Sequence, residues 1–225
     1  MKTLPVALGL LLLAGCAATN QGQLSNVTMT GFLGNYNQLS ATNDSSKVLL
    51  RYVDTTAPWS SYTKIRIEPV TFWAAADSSV PLPVQQQLTD YAYQQITADI
   101  KAAGIPIVAD DGPGVVVVRM ALTDATSATP GLRTISVVVP QARVLSLGVK
   151  AVTGQTAFAG SVQSEGEVLD SVTGKRIAAW VDRRTGGASI SNANVWQWGD
   201  AENVINFWAQ ALVARFTDLR QGKAI

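Results

Sequence analysis

Residues 64–109 read KIRIEPVTFWAAADSSVPLPVQQQLTDYAYQQITADIKAAGIPIVA, and this stretch decides the fold. Lys64-Ile65-Arg66-Ile67-Glu68 alternates polar and apolar side chains and stops at Pro69, the pattern of a half-buried strand. From Pro83 the period changes. Val84, Leu88, Tyr91 with Ala92, Ile96 and Ile100 recur every three to four residues, which predicts an amphipathic helix over 83–103. Pro83 suits its first turn and Gly104 its end. Ile105-Pro106-Ile107-Val108-Ala109 then reads as a second strand. A strand-helix-strand unit of this kind is normally parallel, with a right-handed crossover.

Downstream, Asp110-Asp111-Gly112-Pro113-Gly114 is a cluster of turn residues. Val115 to Leu122 is apolar on both faces and belongs in the middle of a sheet. Residues 126–131 read as a loop, and 135–152 are apolar without a clean period. Phe158 to Leu169 and Lys175 to Val181, separated by Asp170-Ser171-Val172-Thr173-Gly174, predict an antiparallel hairpin. After a Gly/Ser/Asn-rich loop at 185–194, Asp200 is placed to cap a last helix. Val204, Ile205, Trp208, Leu212, Phe216 and Leu219 share one of its faces. Upstream, Lys47 to Val53 is a short strand and Pro58-Trp59 a turn. No internal repeat is evident. The order β-α-β-β-(x)-β-β-α predicts an α+β domain over 61–220, a mixed β-sheet with helices packed mainly on one face. Residues 16–60 are expected to form a tether and an irregular N-terminal segment. Ala17 to Thr30, polar and small, reads as a flexible coil spanning on the order of 20 Å.

The chain has 225 residues, 47% of them apolar and 15% charged, enough to bury a core. It has 17 Lys+Arg, 16 Asp+Glu, one cysteine and no histidine. These last counts exclude a catalytic Ser-His-Asp or Cys-His pair, an imidazole metal ligand, an internal disulfide and a cysteine zinc cage. The cysteine falls in a telling place. Lys2 precedes an apolar run from Leu4 to Leu13, too short to span a bilayer core of about 30 Å. The run ends in Leu13-Ala14-Gly15-Cys16, which resembles the lipobox of bacterial lipoproteins. On that resemblance residues 1–15 are a signal peptide and Cys16 is alkylated and acylated. Each buried methylene then adds about 0.8 kcal/mol of membrane affinity, so two or three chains anchor firmly. In the sorting that this resemblance implies, Ala17 rather than aspartate after the cysteine favours the outer membrane, and the domain is expected at its periplasmic face.

The remaining residues offer few chemical groups in catalytic spacing. Asp110 with Asp111, and Glu165 with Glu167, are carboxylate pairs that could run a hydrolytic reaction if burial kept one protonated. The first pair sits in a turn and the second on the polar face of a hairpin, so both are expected to be solvated. Gly112-Pro113-Gly114 and Gly166 to Lys175 do not match a phosphate loop, since Arg176 stands where Ser or Thr is required. Gly186-Gly187 after Arg183-Arg184 would be an anion nest or, more simply, a flexible connection. Trp196 and Trp198 could stack on a sugar ring, or one could close over the last helix. Phe32, Leu33 and Tyr36 could contact a partner, or could pin the tether to the domain. Balanced charge leaves no basic stripe for nucleic acid. No metal or other cofactor site is expected.

Taken together, Gly31-Phe32-Leu33-Gly34-Asn35-Tyr36, Leu50-Arg51-Tyr52-Val53-Asp54 and Tyr62 to Val70 resemble the bacterial lipoproteins grouped as domain of unknown function 3313. Ala121-Leu122-Thr123-Asp124, Leu169-Asp170 with Thr173-Gly174, and Trp208-Ala209 continue the resemblance in order. Asn35 stands where the family pattern has Asp, which argues against an essential carboxylate there. The resemblance implies a lipid-anchored single domain and supplies no activity. The sequence therefore predicts a non-enzymatic envelope module that binds a protein or peptidoglycan partner. The alternatives are a carboxylate-dependent hydrolase of envelope glycan or lipid, and a carrier of an apolar ligand suggested by residues 135–152.

Overall fold

A computed structural model describes residues 19–73, 78–126, 160–186 and 198–223. The fold is α+β, as the residue pattern predicts. The described strands are β1 (Asn20–Gln21), β2 (Ser40–Ala41), β3 (Leu50–Val53), β4 (Lys64–Ile67), β5 (Thr71–Phe72), β6 (Val115–Thr126), β7 (Ser161–Asp170) and β8 (Arg176–Thr185). They form one mixed sheet in the order β2-β3-β8-β7-β6-β4, with β1 paired to β8 and β5 to β6. Among the described residues two long helices, α1 (Leu82–Ala102) and α2 (Gly199–Arg220), pack against one face.

β4 and β6 are parallel, with Ile65 opposite Val116 and Ile67 opposite Val118. The helix between them is the crossover that parallel pairing requires. The segment 105–109 differs from the expected strand. Ile107 makes a single parallel bridge to Ile65, closed by Ile65 N–H to Pro106 O at 3.0 Å and Val108 N–H to Ile65 O at 3.0 Å. Pro106 has no N–H to extend the ladder, so the strand that completes the unit is β6 instead. Gly104 ends α1 at φ +69°, a left-handed conformation that glycine adopts without penalty.

β6, β7 and β8 run antiparallel, and the predicted hairpin is the centre of the sheet. Asp170 holds its turn: Oδ1 accepts from Val172 N, Thr173 N and Thr173 Oγ1 at 2.7–3.1 Å. On the helix side, alternate β6 residues Val116, Val118, Met120 and Leu122 meet Leu88, Ile96 and Ile100 of α1 and Val204, Ile205 and Trp208 of α2. Burying each such side chain contributes about 1.5–3 kcal/mol. The helices are also linked directly, by Tyr91 Oη donating to Asn206 Oδ1 at 2.9 Å. Trp198, not Asp200, stands at the N-cap of α2. Asp200 lies inside the first turn, fully buried, where its Oδ2 accepts from Gly160 N at 2.9 Å.

The opposite face of the sheet is covered from the N-terminal side. Leu33 packs with Leu50, Ala179 and Val181, and Phe32, Tyr36 and Tyr52 border this second cluster. From Thr19 onward the expected flexible tether is therefore docked: Asn20 and Gln21 pair with Thr185 and Arg184 of β8. Residues 135–152, on which the carrier alternative was read, lie outside the described residues. Among the described residues no helix is long and apolar enough to cross a membrane.

Candidate functional site

Gln163, Glu165 and Glu167 alternate along β7 and point away from the helices. The spacing predicts a solvated strip, yet Glu165 is completely buried and Glu167 is 4% exposed. The N-terminal segment lies across them and supplies the donors. Thr28 N donates to Gln163 Oε1 at 3.2 Å, and Gln163 Nε2 returns a bond to Thr28 O at 2.6 Å. Glu165 Oε1 accepts from Thr30 N at 2.9 Å and Thr30 Oγ1 at 3.0 Å, while Tyr36 Oη donates to Glu165 Oε2. Burial, and then the adjacent Glu165 carboxylate, push the Tyr36 phenol above its ordinary value. Glu167 sits between two guanidiniums, Arg119 Nη1 at 2.6 Å and Arg176 Nε at 2.7 Å. Arg176 in turn donates to the carbonyls of Leu33 and Asn35. These carboxylates are committed to holding the segment down, and neither faces an open cleft. Asp111 pairs with Arg66 at 2.7 Å, and Asp110 is exposed beside it. Among the described residues no group of three or more carboxylates could hold a metal ion.

The outer side of this segment carries an aromatic pair. Phe32 meets Trp73 edge to face, with ring centroids 5.8 Å apart at 68°, and the Arg119 guanidinium lies 5.6 Å from the Phe32 ring centre. Trp73 Nε1 donates to Thr30 O at 3.2 Å. Even so, Trp73 is 48% exposed and the nearby Met29 44%. The sequence reading singled out Phe32 but missed Trp73. Its signal was the alternation of β5, which turns Phe72 toward the core and the next residue outward. Tyr36 is half-buried with its hydroxyl tied to Glu165. Trp198 is 5% exposed, packed in the main core, and offers no surface to a partner. Trp196 and Cys16 lie outside the described residues.

Arg183 and Arg184, expected near a flexible connection, belong to β8 and are buried. Arg183 Nη1 pairs with Asp124 at 2.5 Å. Arg184 Nε donates to Asp182 Oδ2 at 2.7 Å, and its guanidinium stacks 3.7 Å from the centre of the Phe207 ring. Asp182 also accepts from Trp208 Nε1 at 2.8 Å and Leu49 N at 3.0 Å. The same Arg184 donates to Lys47 O at 2.6 Å, Ser45 O at 3.0 Å and Thr19 Oγ1 at 3.2 Å. One buried ion pair thus joins β8, α2, the 45–49 loop and the N-terminal segment.

Beside this joint a cavity of about 120 Å³ opens between the sheet and the C-terminal half of α2. Its walls include Trp59, Ile65, Met120, Trp180 and Phe216. Its polar lining is Ser46, Lys47, Arg51 and Arg215, none of them buried.

A family model described as protein of unknown function, DUF3313, matches residues 28–212. The uncharacterised lipoprotein YdcL of Escherichia coli K12 is 31% identical over 192 residues, covering 82% of this chain and 81% of the relative. The same protein of strain O157:H7 matches equally. Among solved structures, protein XCC0632 of Xanthomonas campestris is similar at a TM-score of 0.40 and 14% identity, over 71% of this chain and 86% of that one. A minor lipoprotein of Acinetobacter baumannii is similar at a TM-score of 0.35 and 13% identity, over 72% and 94%. This chain belongs to the DUF3313 family, a bacterial lipoprotein family of unknown function.

Proposed function

We propose, from this membership, that the chain is held through lipidated Cys16 at the periplasmic face of the outer membrane and works without catalysis, by docking an envelope protein. The observation that carries the docking reading is the Phe32–Trp73 pair with Arg119 stacked beside it. Trp73 is exposed while Phe32 and Arg119 are half-buried beside it, and aromatic and arginine side chains are enriched among the residues that dominate binding energy at protein interfaces. The pair is also held in place before any partner arrives, because the Trp73 indole is bonded to Thr30 and Thr30 to buried Glu165. Little ordering then remains to oppose association.

The docking reading is tested by placing a photo-cross-linking side chain at Trp73 in intact cells and identifying the adducts. A discrete protein adduct that Phe32→Ala abolishes supports it. Adducts spread over abundant proteins and indifferent to Phe32→Ala would overturn it, as would retention of the purified protein on wall sacculi alone. The anchor is tested separately by metabolic labelling with a fatty acid. Cys16→Ser is expected to lose the label, and unchanged labelling would sink the anchor.

A further inference from the structure

The cavity beneath α2 combines an apolar inner wall with a cationic polar lining. Its inner wall is apolar and buried: Trp59, Ile65 and Met120 are 6%, 1% and 4% exposed. Its polar lining contains three cations, Lys47, Arg51 and Arg215, and no carboxylate. Lys47 lies 3.7 Å from Asp44. The guanidiniums of Arg51 and Arg215, both half-buried residues, have no ion pair or hydrogen bond among the described residues. Partly buried guanidiniums are ordinarily paired, because their five donors are costly to desolvate without acceptors. A cavity of about 120 Å³ is close to the ~150 Å³ that stays dry and admits benzene when its walls are apolar.

We propose that this cavity binds the anionic head and adjoining methylenes of a single-chain lipid, with the head on Arg51 and Arg215, those methylenes against Trp59 and Met120 and the rest of the chain outside the cavity. A planar carboxylate or a tetrahedral phosphate presents two oxygens to a guanidinium fork, and a neutral head would leave the forks unmatched. The position of the cavity favours such an occupant. Thr19 is bonded to Arg184, which also holds the carbonyl of Lys47 at the cavity lining. Cys16 is three residues from Thr19, a reach of about 10 Å even when fully extended. If Cys16 carries the anchor, as proposed above, the cationic lining lies within reach of the leaflet that supplies the lipid. The binding site itself does not depend on the Phe32–Trp73 surface.

The full-length lipoprotein in phosphatidylcholine vesicles is titrated with 2-bromostearate and, in parallel, with its methyl ester, while tryptophan fluorescence is read. Bromine quenches on contact, and Trp59, Trp180 and Trp208 line the cavity. The acid is expected to quench with saturation, and Ala211→Leu, which fills the cavity from α2, to abolish the saturable part. Arg51→Gln with Arg215→Gln should raise the half-quenching concentration of the acid about tenfold, whereas Arg51→Lys with Arg215→Lys should stay near wild type. Quenching untouched by Ala211→Leu would overturn the site. Equal behaviour of acid and ester would overturn the anionic head. Should the double Gln variant lose its native circular dichroism, the Lys pair and Ala211→Leu decide.

Discussion

The indole of Trp180 lies so close over Gly166 that a Cβ on that glycine would stand 2.1 Å from Trp180 Cζ2. The two residues are direct cross-strand neighbours of β7 and β8, on the face that meets the helices. Glycine here is a steric requirement of the aromatic opposite it, not a turn residue. Gly166→Ala must push Trp180 toward the cavity it lines, and overpacking of this kind costs about 1–3 kcal/mol. Denaturant unfolding of Gly166→Ala, Trp180→Ala and the double variant measures it. The double variant is expected to be more stable than the sum of the single losses, because the clash disappears with the indole.

Asp182 and Arg184 make a second pair whose partners cannot be separated cheaply. Both are essentially without solvent contact, and Asp182 accepts from a guanidinium, an indole and a backbone amide. Asp182→Ala would leave a buried guanidinium uncompensated, a loss of about 3–5 kcal/mol. It would also release the 45–49 loop, whose Leu49 N–H loses its acceptor. Hydrogen exchange should report this as early exchange at Leu49 and at the indole of Trp208, before global unfolding.

Much of this architecture is legible locally. The alternation of Lys64 to Ile67, the helical period from Val84 to Ile100 and the turn chemistry of Asp170 to Gly174 each name an element within a few residues of its bounds. What the sequence conceals is long-range. Thr30 reaches Glu165 across 135 positions, so a strip of Gln and Glu looks solvated until its cover is known. Asp200 has the chemistry of a cap, but Gly160 takes its carboxylate. Trp73 carries the candidate surface with Phe32, although 41 positions separate them and no local period joins them. The cavity has no sequence signature, since its lining comes from loop, sheet and both helices.

Tyr36 and Glu165 make one of the polar anchors that hold the N-terminal segment. Tyr36→Phe removes a donor from a fully buried carboxylate that retains only Thr30. The expected loss is about 1–3 kcal/mol, felt first by the segment rather than by the sheet. Limited proteolysis should cut between residues 28 and 39 faster in Tyr36→Phe, with the strands β6, β7 and β8 themselves staying uncut. Equal cleavage rates would mean that the apolar contacts of Leu33 suffice to hold the segment.

Asp54 supplies a pH-dependent tie between the end of β3 and the hairpin turn. Lys175 Nζ lies 2.6 Å from its Oδ2, and Thr56 donates from Oγ1 at 2.6 Å and from N at 2.9 Å. The lysine contact first, and then the threonine bonds, lower the Asp54 carboxyl from 3.8 to about 2. A carboxyl depressed in the folded state binds its proton more readily when unfolded. Its contribution to stability is therefore complete above about pH 4 and is lost as the pH falls through about 2. Unfolding measured from pH 5 down to 2 should show wild type above Asp54→Asn at the upper end and the two curves meeting at the lower. Lys175→Met should narrow the gap at pH 5 by weakening the tie from the other side. Parallel curves for wild type and Asp54→Asn across this range would assign the acid dependence to other carboxylates.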